Sequence, residues 1–309
     1  MIAAARRVAV TGSTGFIGQR LVGHLAAQGV DVVRAGRPLE RAALAVAFRG
    51  ADAVVHLAGV VAALRERDFF ETNVGGTQAM AEAAKDAGVV RVVHVSSLAA
   101  AGTGSIRAPR REDDPPAPLT AYGRSKLQGE QVVAELLGPQ AVVLRPGVVY
   151  GPGDRAMLPL FRMAARAVLP LVGREGAAYT MVFVDDLLRA IDASLAGTLD
   201  GGETVCVGHP HPVGARELLE GIRLAVGRRA PIVRVPMAAT RLAAIAGDIA
   251  GHIRGRPQVL NRSRYLELEA EGFVCCVDRL RDRLGVVAQM DLAGGLAQTA
   301  RWYREQGWL

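Results

Sequence analysis

The sequence predicts an α/β fold: a doubly wound parallel sheet carrying helices on both faces, with a smaller substrate lobe toward the C-terminus. Three observations lead there. Strand-like and helix-like apolar patterns alternate from Val8 to about Leu144. A glycine-rich turn joins the first strand to the first helix, and the regular alternation stops after Gly151-Pro152-Gly153. Half of the 309 residues are hydrophobic, enough for one large domain or a main domain with a lobe. Aromatics make up only 5%, so the core must be mostly Ala, Val and Leu.

Arg6-Arg7-Val8-Ala9-Val10 is a short apolar strand, and it runs directly into Thr11-Gly12-Ser13-Thr14-Gly15-Phe16-Ile17-Gly18. Gln19 to Gln28 then reads as an amphipathic helix. A dinucleotide-binding loop needs this strand–turn–helix context. Gly12 permits the tight turn, Gly15 lets the backbone approach a pyrophosphate, and Gly18 allows close helix–strand packing. The helix N-terminus offers free N–H groups and a favourable dipole to the phosphates. Gly12, Ser13, Thr14, Gly15, Phe16, Ile17 and Gly18 are therefore the first candidate cofactor-binding residues. The second strand, Val30 to Ala35, ends at Gly36-Arg37. An acid here would hydrogen-bond the ribose 2′-hydroxyl of NAD. Instead Gly36 clears the space and the fork of Arg37 suits a 2′-phosphate, so NADP is expected ahead of NAD.

Further along, Tyr122-Gly123-Arg124-Ser125-Lys126 puts a phenol and an ammonium one helical turn apart, on one helix face. The chain has 37 basic residues, yet Lys85 and Lys126 are its only lysines. A lysine at this spacing points to a role that arginine could not fill. A nearby cation favours the ionised form of a tyrosine whose ordinary pKa is about 10.

Together these segments resemble the extended short-chain dehydrogenase/reductase superfamily, which includes the NAD-dependent epimerases and dehydratases. The resemblance spans essentially the whole chain. Its other markers are Asp52-Ala53-Val54-Val55-His56-Leu57-Ala58-Gly59, Asn73 in Thr72–Thr77, Val95-Ser96-Ser97, Arg145-Pro146-Gly147-Val148-Val149-Tyr150-Gly151-Pro152 and Val184-Asp185-Asp186. The resemblance implies a Rossmann-type domain over residues 1–150 that binds NAD(P). Residues 151–309 would form a smaller lobe interleaved with the last strands and helices of the sheet. Ser97, 25 residues before Tyr122, looks like the catalytic serine, with Ser96 its neighbour rather than the catalyst. Tyr122 resembles the general acid/base. Lys126 resembles the residue that lowers its pKa and holds the nicotinamide ribose. Pro146 would pack near the nicotinamide, and Leu57, Ala58 and Gly59 would form part of the cofactor wall. His56 reads as a buried strand residue rather than a base.

The chain departs from the family pattern in three places. The stretch between Arg37 and Asp52 is short, so the second helix and third strand are expected to be truncated. Leu98-Ala99 follow Ser97 where sugar dehydratases carry Asp-Glu, which argues against a 4,6-dehydratase. Tyr179 stands where nucleotide-sugar enzymes commonly place an arginine for the substrate diphosphate, although Arg174 is close by. The implied activity is an NAD(P)-dependent interconversion of a ketone and a secondary alcohol. The alternatives are a nucleotide-sugar epimerase that regenerates its cofactor and a non-catalytic cofactor-binding subunit. Dimers are common in the family, through helices flanking the Tyr/Lys helix.

The remaining features bound the partners. The formal charge of +7 is spread over the chain, and no nucleic-acid motif accompanies it. Three cysteines, two of them adjacent at 275 and 276, make neither a disulfide framework nor a zinc site, so no metal is expected. Cys275 and Cys276 read as small core residues of a late strand. Arg241 and Asp248 interrupt the most apolar late stretch, Met237 to Ile253, so no membrane partner is expected. The strand close to the N-terminus leaves no room for a signal peptide, and the expected location is cytoplasmic. Leu98 to Leu119, rich in Gly and Pro, reads as a long loop bordering the substrate and able to close over it. Arg155, Arg162, Tyr179, His211 and Arg264 are candidate pocket residues, and Trp302 to Leu309 reads as a closing helix.

Overall fold

The computed structural model describes residues 5–166, 168–197 and 201–309. Five strands of the first half lie in one parallel sheet: β1 (Arg7–Thr11), β2 (Asp31–Ala35), β3 (Ala53–His56), β4 (Arg91–Val95) and β5 (Ala141–Pro146). The late strand Thr204–Val207 pairs with β5 and completes six strands, with β2 at one edge and Thr204–Val207 at the other. β3, β4 and β5 are buried at every residue, as expected of strands covered on both faces. The helices of the first half are α1 (Phe16–Ala27), α2 (Arg41–Ala47), α3 (Glu66–Phe70), α4 (Gly76–Asp86), α5 (Leu98–Ala101) and α6 (Ala121–Leu137).

Each sheet face carries its own core. On one side Val8, Val10, Val55 and Val93 meet Leu21 and Leu25 of α1 and Leu187 and Ile191 of the late helix Val184–Leu195. On the other, Ala9, Val54, Val92 and Val143 pack on Met80, Ala83 and Ala84 of α4 and Val133 of α6. Second-half elements thus return to the sheet.

The truncation expected after Arg37 is present: the helix between β2 and the short β3 is the seven residues of α2, and among the described residues no further strand pairs with β2. The lobe has a third core, in which Phe161, Phe183, Tyr150 and Tyr303 gather with Leu169, Leu219 and Leu296. The closing helix begins earlier than expected, at Leu292–Glu305, and Trp308 folds back so that its N–H donates to the Tyr303 carbonyl.

The segment 98–119 is stitched down rather than free to close. Its backbone bridges Gly102 to Ala117, Gly104 to Phe273 and Arg110 to Cys275. The Arg110 guanidinium holds the Ala101 and Pro115 carbonyls, and Glu112 accepts from the Cys206 N–H at 2.9 Å.

Candidate active site

The glycine turn has the backbone that a pyrophosphate cradle needs. Gly12 adopts φ +68°, and a Cβ there would lie 2.7 Å from the Ala58 nitrogen. A Cβ on Gly18 would stand 2.1 Å from the Gly12 carbonyl oxygen. Any side chain at either position would push the loop off the sheet. No side chain caps the first turn of α1, which begins after Gly15, so its N–H groups remain available to an anion. Leu57 and Ala58 press directly on Gly12, and the Ala58 N–H donates to the Thr11 hydroxyl at 3.3 Å. A Cβ on Gly59 would meet the Asn73 amide oxygen at 3.0 Å. The residues present fit a dinucleotide.

β1 and β2 pair in register from Arg7/Asp31 to Thr11/Ala35, so Arg37 emerges beside the glycine turn. It is exposed, without an ion-pair partner among the described residues. With Pro38 and Leu39 it lines a cavity of about 570 Å³ whose other wall is Glu71, Thr72, Gly75 and Gly76.

Ser97 ends the segment after β4 and caps α5, its hydroxyl accepting from the Ala99 N–H at 3.2 Å. Tyr122 enters in the first turn of α6, after the cap Thr120. The structure brings the two near each other, close enough for the Ser97 hydroxyl to act on the ionisation of the Tyr122 phenol. Burial raises the Tyr122 pKa, the Ser97 contact opposes it, and the charge of Glu267 adds to the rise. The Phe69 ring stands 6.1 Å from the tyrosine ring.

Lys126 is buried and donates to the Val95 carbonyl at 2.9 Å. Burial lowers its pKa from 10.5 to about 8, and Glu130 partly restores it. Its charge is felt at His56 and His94 rather than among the influences on Tyr122. Burial therefore raises the tyrosine pKa where the sequence implies a depression by Lys126.

A polar network that sequence reasoning missed lies beneath Lys126. Glu130 accepts from Ser96 at 2.5 Å and pairs with Arg145 at 2.7 Å, both side chains being only 7% exposed. Tyr122, Lys126 and Glu130 follow one another at i, i+4 and i+8, so the spacing that singled out the first pair also contained the third residue. Asn73 sits in a π-helical turn, Glu71–Gly75, and donates to the Val60 carbonyl and the Ser125 hydroxyl at 3.1 and 2.9 Å. This ties α6 to the cofactor wall. His56 is fully buried, bonded to Thr11 at 2.7 Å and Thr77 at 3.1 Å, with its pKa lowered to about 3, chiefly by burial. It is the neutral strand residue expected. Pro146 ends β5, paired with Val207.

The lobe contributes a different set of residues than the sequence suggested. Arg155 lies over the Trp308 ring at 4.9 Å and Arg162 holds the Trp308 carbonyl, so both are spent on the C-terminal tail. His211 is exposed and packs against His209. Tyr179 and Arg264 do belong near the site. Arg264 and Glu267 pair at 2.7 Å on the late helix Arg262–Glu269, and the charges of both reach Tyr179. Cys206 and Cys275 are buried as expected, while Cys276 is partly open and contacts Asp278.

A sequence profile of the NAD dependent epimerase/dehydratase family matches residues 8–208. The ceramide reductase of Caulobacter vibrioides is 30% identical over 98% of this chain and 96% of its own length. A UDP-glucose 4-epimerase of Mycolicibacterium smegmatis is 28% identical, covering 97% of this chain and 99% of that one. Among solved structures, the dTDP-glucose 4,6-dehydratase DesIV of Streptomyces venezuelae, with NAD bound, superimposes with a TM-score of 0.78 at 27% identity over 98% of both chains. Across its sheet, its glycine turn and nearly all of its length, the chain belongs to the NAD-dependent epimerase/dehydratase family of extended short-chain dehydrogenases/reductases.

Proposed function

We propose that the chain is an NADP-preferring reductase of a ketone on an amphipathic organic substrate, with Ser97, Tyr122 and Lys126 as its catalytic residues. The observation that carries this reading is that Tyr122, with Ser97 near enough to act on its ionisation, shares one helix with the buried Lys126. The Gly12–Gly18 turn and the N-terminus of α1 would hold the pyrophosphate, Arg37 the 2′-phosphate, and Leu57, Ala58, Gly59 and Pro146 the wall beside them. When bound, the nicotinamide supplies the hydride for reduction or accepts it in oxidation.

The chain's own residues position and polarise. The Ser97 and Tyr122 hydroxyls hydrogen-bond the substrate oxygen and stabilise the negative charge that develops on it. Tyr122 delivers its phenolic proton to that oxygen, and its raised pKa keeps it protonated until that moment. Lys126, with a pKa of about 8, holds the ribose and can refill the tyrosine with a proton at neutral pH. The division near residue 150 separates the part that holds the cofactor from the part that holds the substrate.

One feature favours a reductase over the second reading, a nucleotide-sugar epimerase: Tyr179 occupies the place of a diphosphate-binding arginine. The ceramide reductase relative supports a lipophilic substrate, and the epimerase relative supports the alternative. Net NADPH consumption with a ketone separates them, because an epimerase regenerates its cofactor. Tyr122→Phe should lower turnover by about a hundredfold or more while NADPH still binds. Unchanged turnover in that variant would remove Tyr122 from the chemistry.

A further inference from the structure

The late helix Met237–Arg254 wears its amphipathicity inside out. Its inward face is Thr240, Ala244, Gly247 and Gly251, spaced i, i+4, i+7 and i+11, with Gly247 half-buried and the other three buried. Small residues let the backbone come close: a Cβ on Gly247 would lie 2.0 Å from the Leu260 carbonyl oxygen, and one on Gly251 3.4 Å from the Leu64 side chain. The opposite face carries Leu242, Ala246, Ile249 and Ile253, and there Leu242 is 69%, Ile249 59% and Ile253 81% exposed. Val61 and Val259, 77% and 76% exposed, add further uncovered apolar side chains in the segments that pack against this helix. Burying each such side chain would gain about 1.5–3 kcal/mol, so a helix that leaves three of them in water while burying glycines is built for a second medium.

The fringe of this face is basic. Residues 237–264 contain five arginines, at 241, 254, 256, 262 and 264, and one acid, Asp248. Asp248 is held by Arg262 at 3.4 Å, while Arg241, Arg254 and Arg256 have no carboxylate partner among the described residues. Arg65, exposed and next to Leu64, adds to the same rim. The helix is tied to the site through its inward side: Leu64, from the segment that leaves the cofactor wall, meets Gly251, and the helix packs on Arg262–Glu269, whose Glu267 charge reaches Tyr122.

We infer that this face seats on an anionic lipid surface, with the helix lying in the headgroup plane and the arginines on lipid phosphates. No helix of the described residues is long and apolar enough to cross a membrane, so the contact is peripheral.

The test is sedimentation of the full chain with vesicles of phosphatidylglycerol mixed with phosphatidylcholine, against vesicles of phosphatidylcholine alone, alongside its mass in solution. Binding should require the anionic lipid and weaken as salt rises. The double variant I249S/I253S, and separately R254E/R256E, should each lower the bound fraction about tenfold or more, with turnover of a water-soluble ketone unchanged. Equal binding to both vesicle types, no binding at all, or variants that bind like the parent chain would overturn the inference. So would a dimer that I249S/I253S converts to monomer without vesicle binding, since the face would then be covered by a second copy. Vesicle binding and mass in solution do not depend on the reductase reading, whereas the ketone-turnover control does.

Discussion

Replacing Lys126 by methionine should make the protein more stable and inactive at the same time. The ammonium is buried, and its pKa of about 8 against 10.5 in an unfolded chain means that the fold disfavours the charged form. At pH 7 this amounts to about 3 kcal/mol of stability forgone. Methionine removes that penalty but leaves the Val95 carbonyl without its donor, which returns about 1 kcal/mol. A net gain of about 2 kcal/mol is expected in urea unfolding at pH 7. The sign follows from proton counting. Between pH 8 and 10.5 the unfolded chain binds more protons at this site than the folded one, so the wild-type protein recovers stability as pH rises. The penalty falls to about 2 kcal/mol at pH 9, and the advantage of the variant shrinks with it. Comparing the two proteins isolates Lys126 from other groups that titrate in this range. A Lys126→Met protein less stable than wild type at pH 7, or an advantage that stays constant from pH 7 to 9, would refute the reasoning.

The other predictions follow from contacts already described. Glu130→Ala leaves the Arg145 guanidinium buried without its partner, and should lower unfolding free energy by about 3–5 kcal/mol in the same assay. Gly18→Ala drives a Cβ into the Gly12 carbonyl and should weaken cofactor binding, measured by fluorescence titration, by about tenfold or more. Arg37→Ala should raise the KM for NADPH about tenfold and leave that for NADH unchanged, through loss of charge-assisted hydrogen bonds to the 2′-phosphate. An equal rise for both cofactors would mean that Arg37 only shapes the turn.

The first half of the molecule was legible because its information is local. Period-two and helical patterns gave the strands and helices, and the glycines at 12, 15 and 18 described their own turn. Tyr122 and Lys126 shared a helix face, so their proximity to each other needed no tertiary knowledge. The direction of the ammonium did, because it depends on the Val95 carbonyl in a strand 31 residues earlier. Glu130 was within reach of the same periodicity, but its partner Arg145 lies on another element. The lobe was the least legible part. Arg155 and Arg162 look the same as Arg264 in sequence, and only packing sends two to Trp308 and one toward Tyr179. The Met237–Ile253 stretch was read as apolar without a side, because its contact face is made of glycine and alanine.

The position of β2 at the sheet edge has a consequence for how this enzyme can change. Ser97 and the carbonyl that holds Lys126 hang from β4, which is flanked on both sides by fully buried strands, so errors there propagate through the whole core. Arg37 hangs from the last strand, beside a short helix and open solvent. Substitutions at that end disturb few neighbours. If Ser97 and Lys126 carry the chemistry and Arg37 the cofactor choice, as proposed, then the chemistry is anchored where mutation is least tolerated and the choice between two cofactors sits where drift is nearly free.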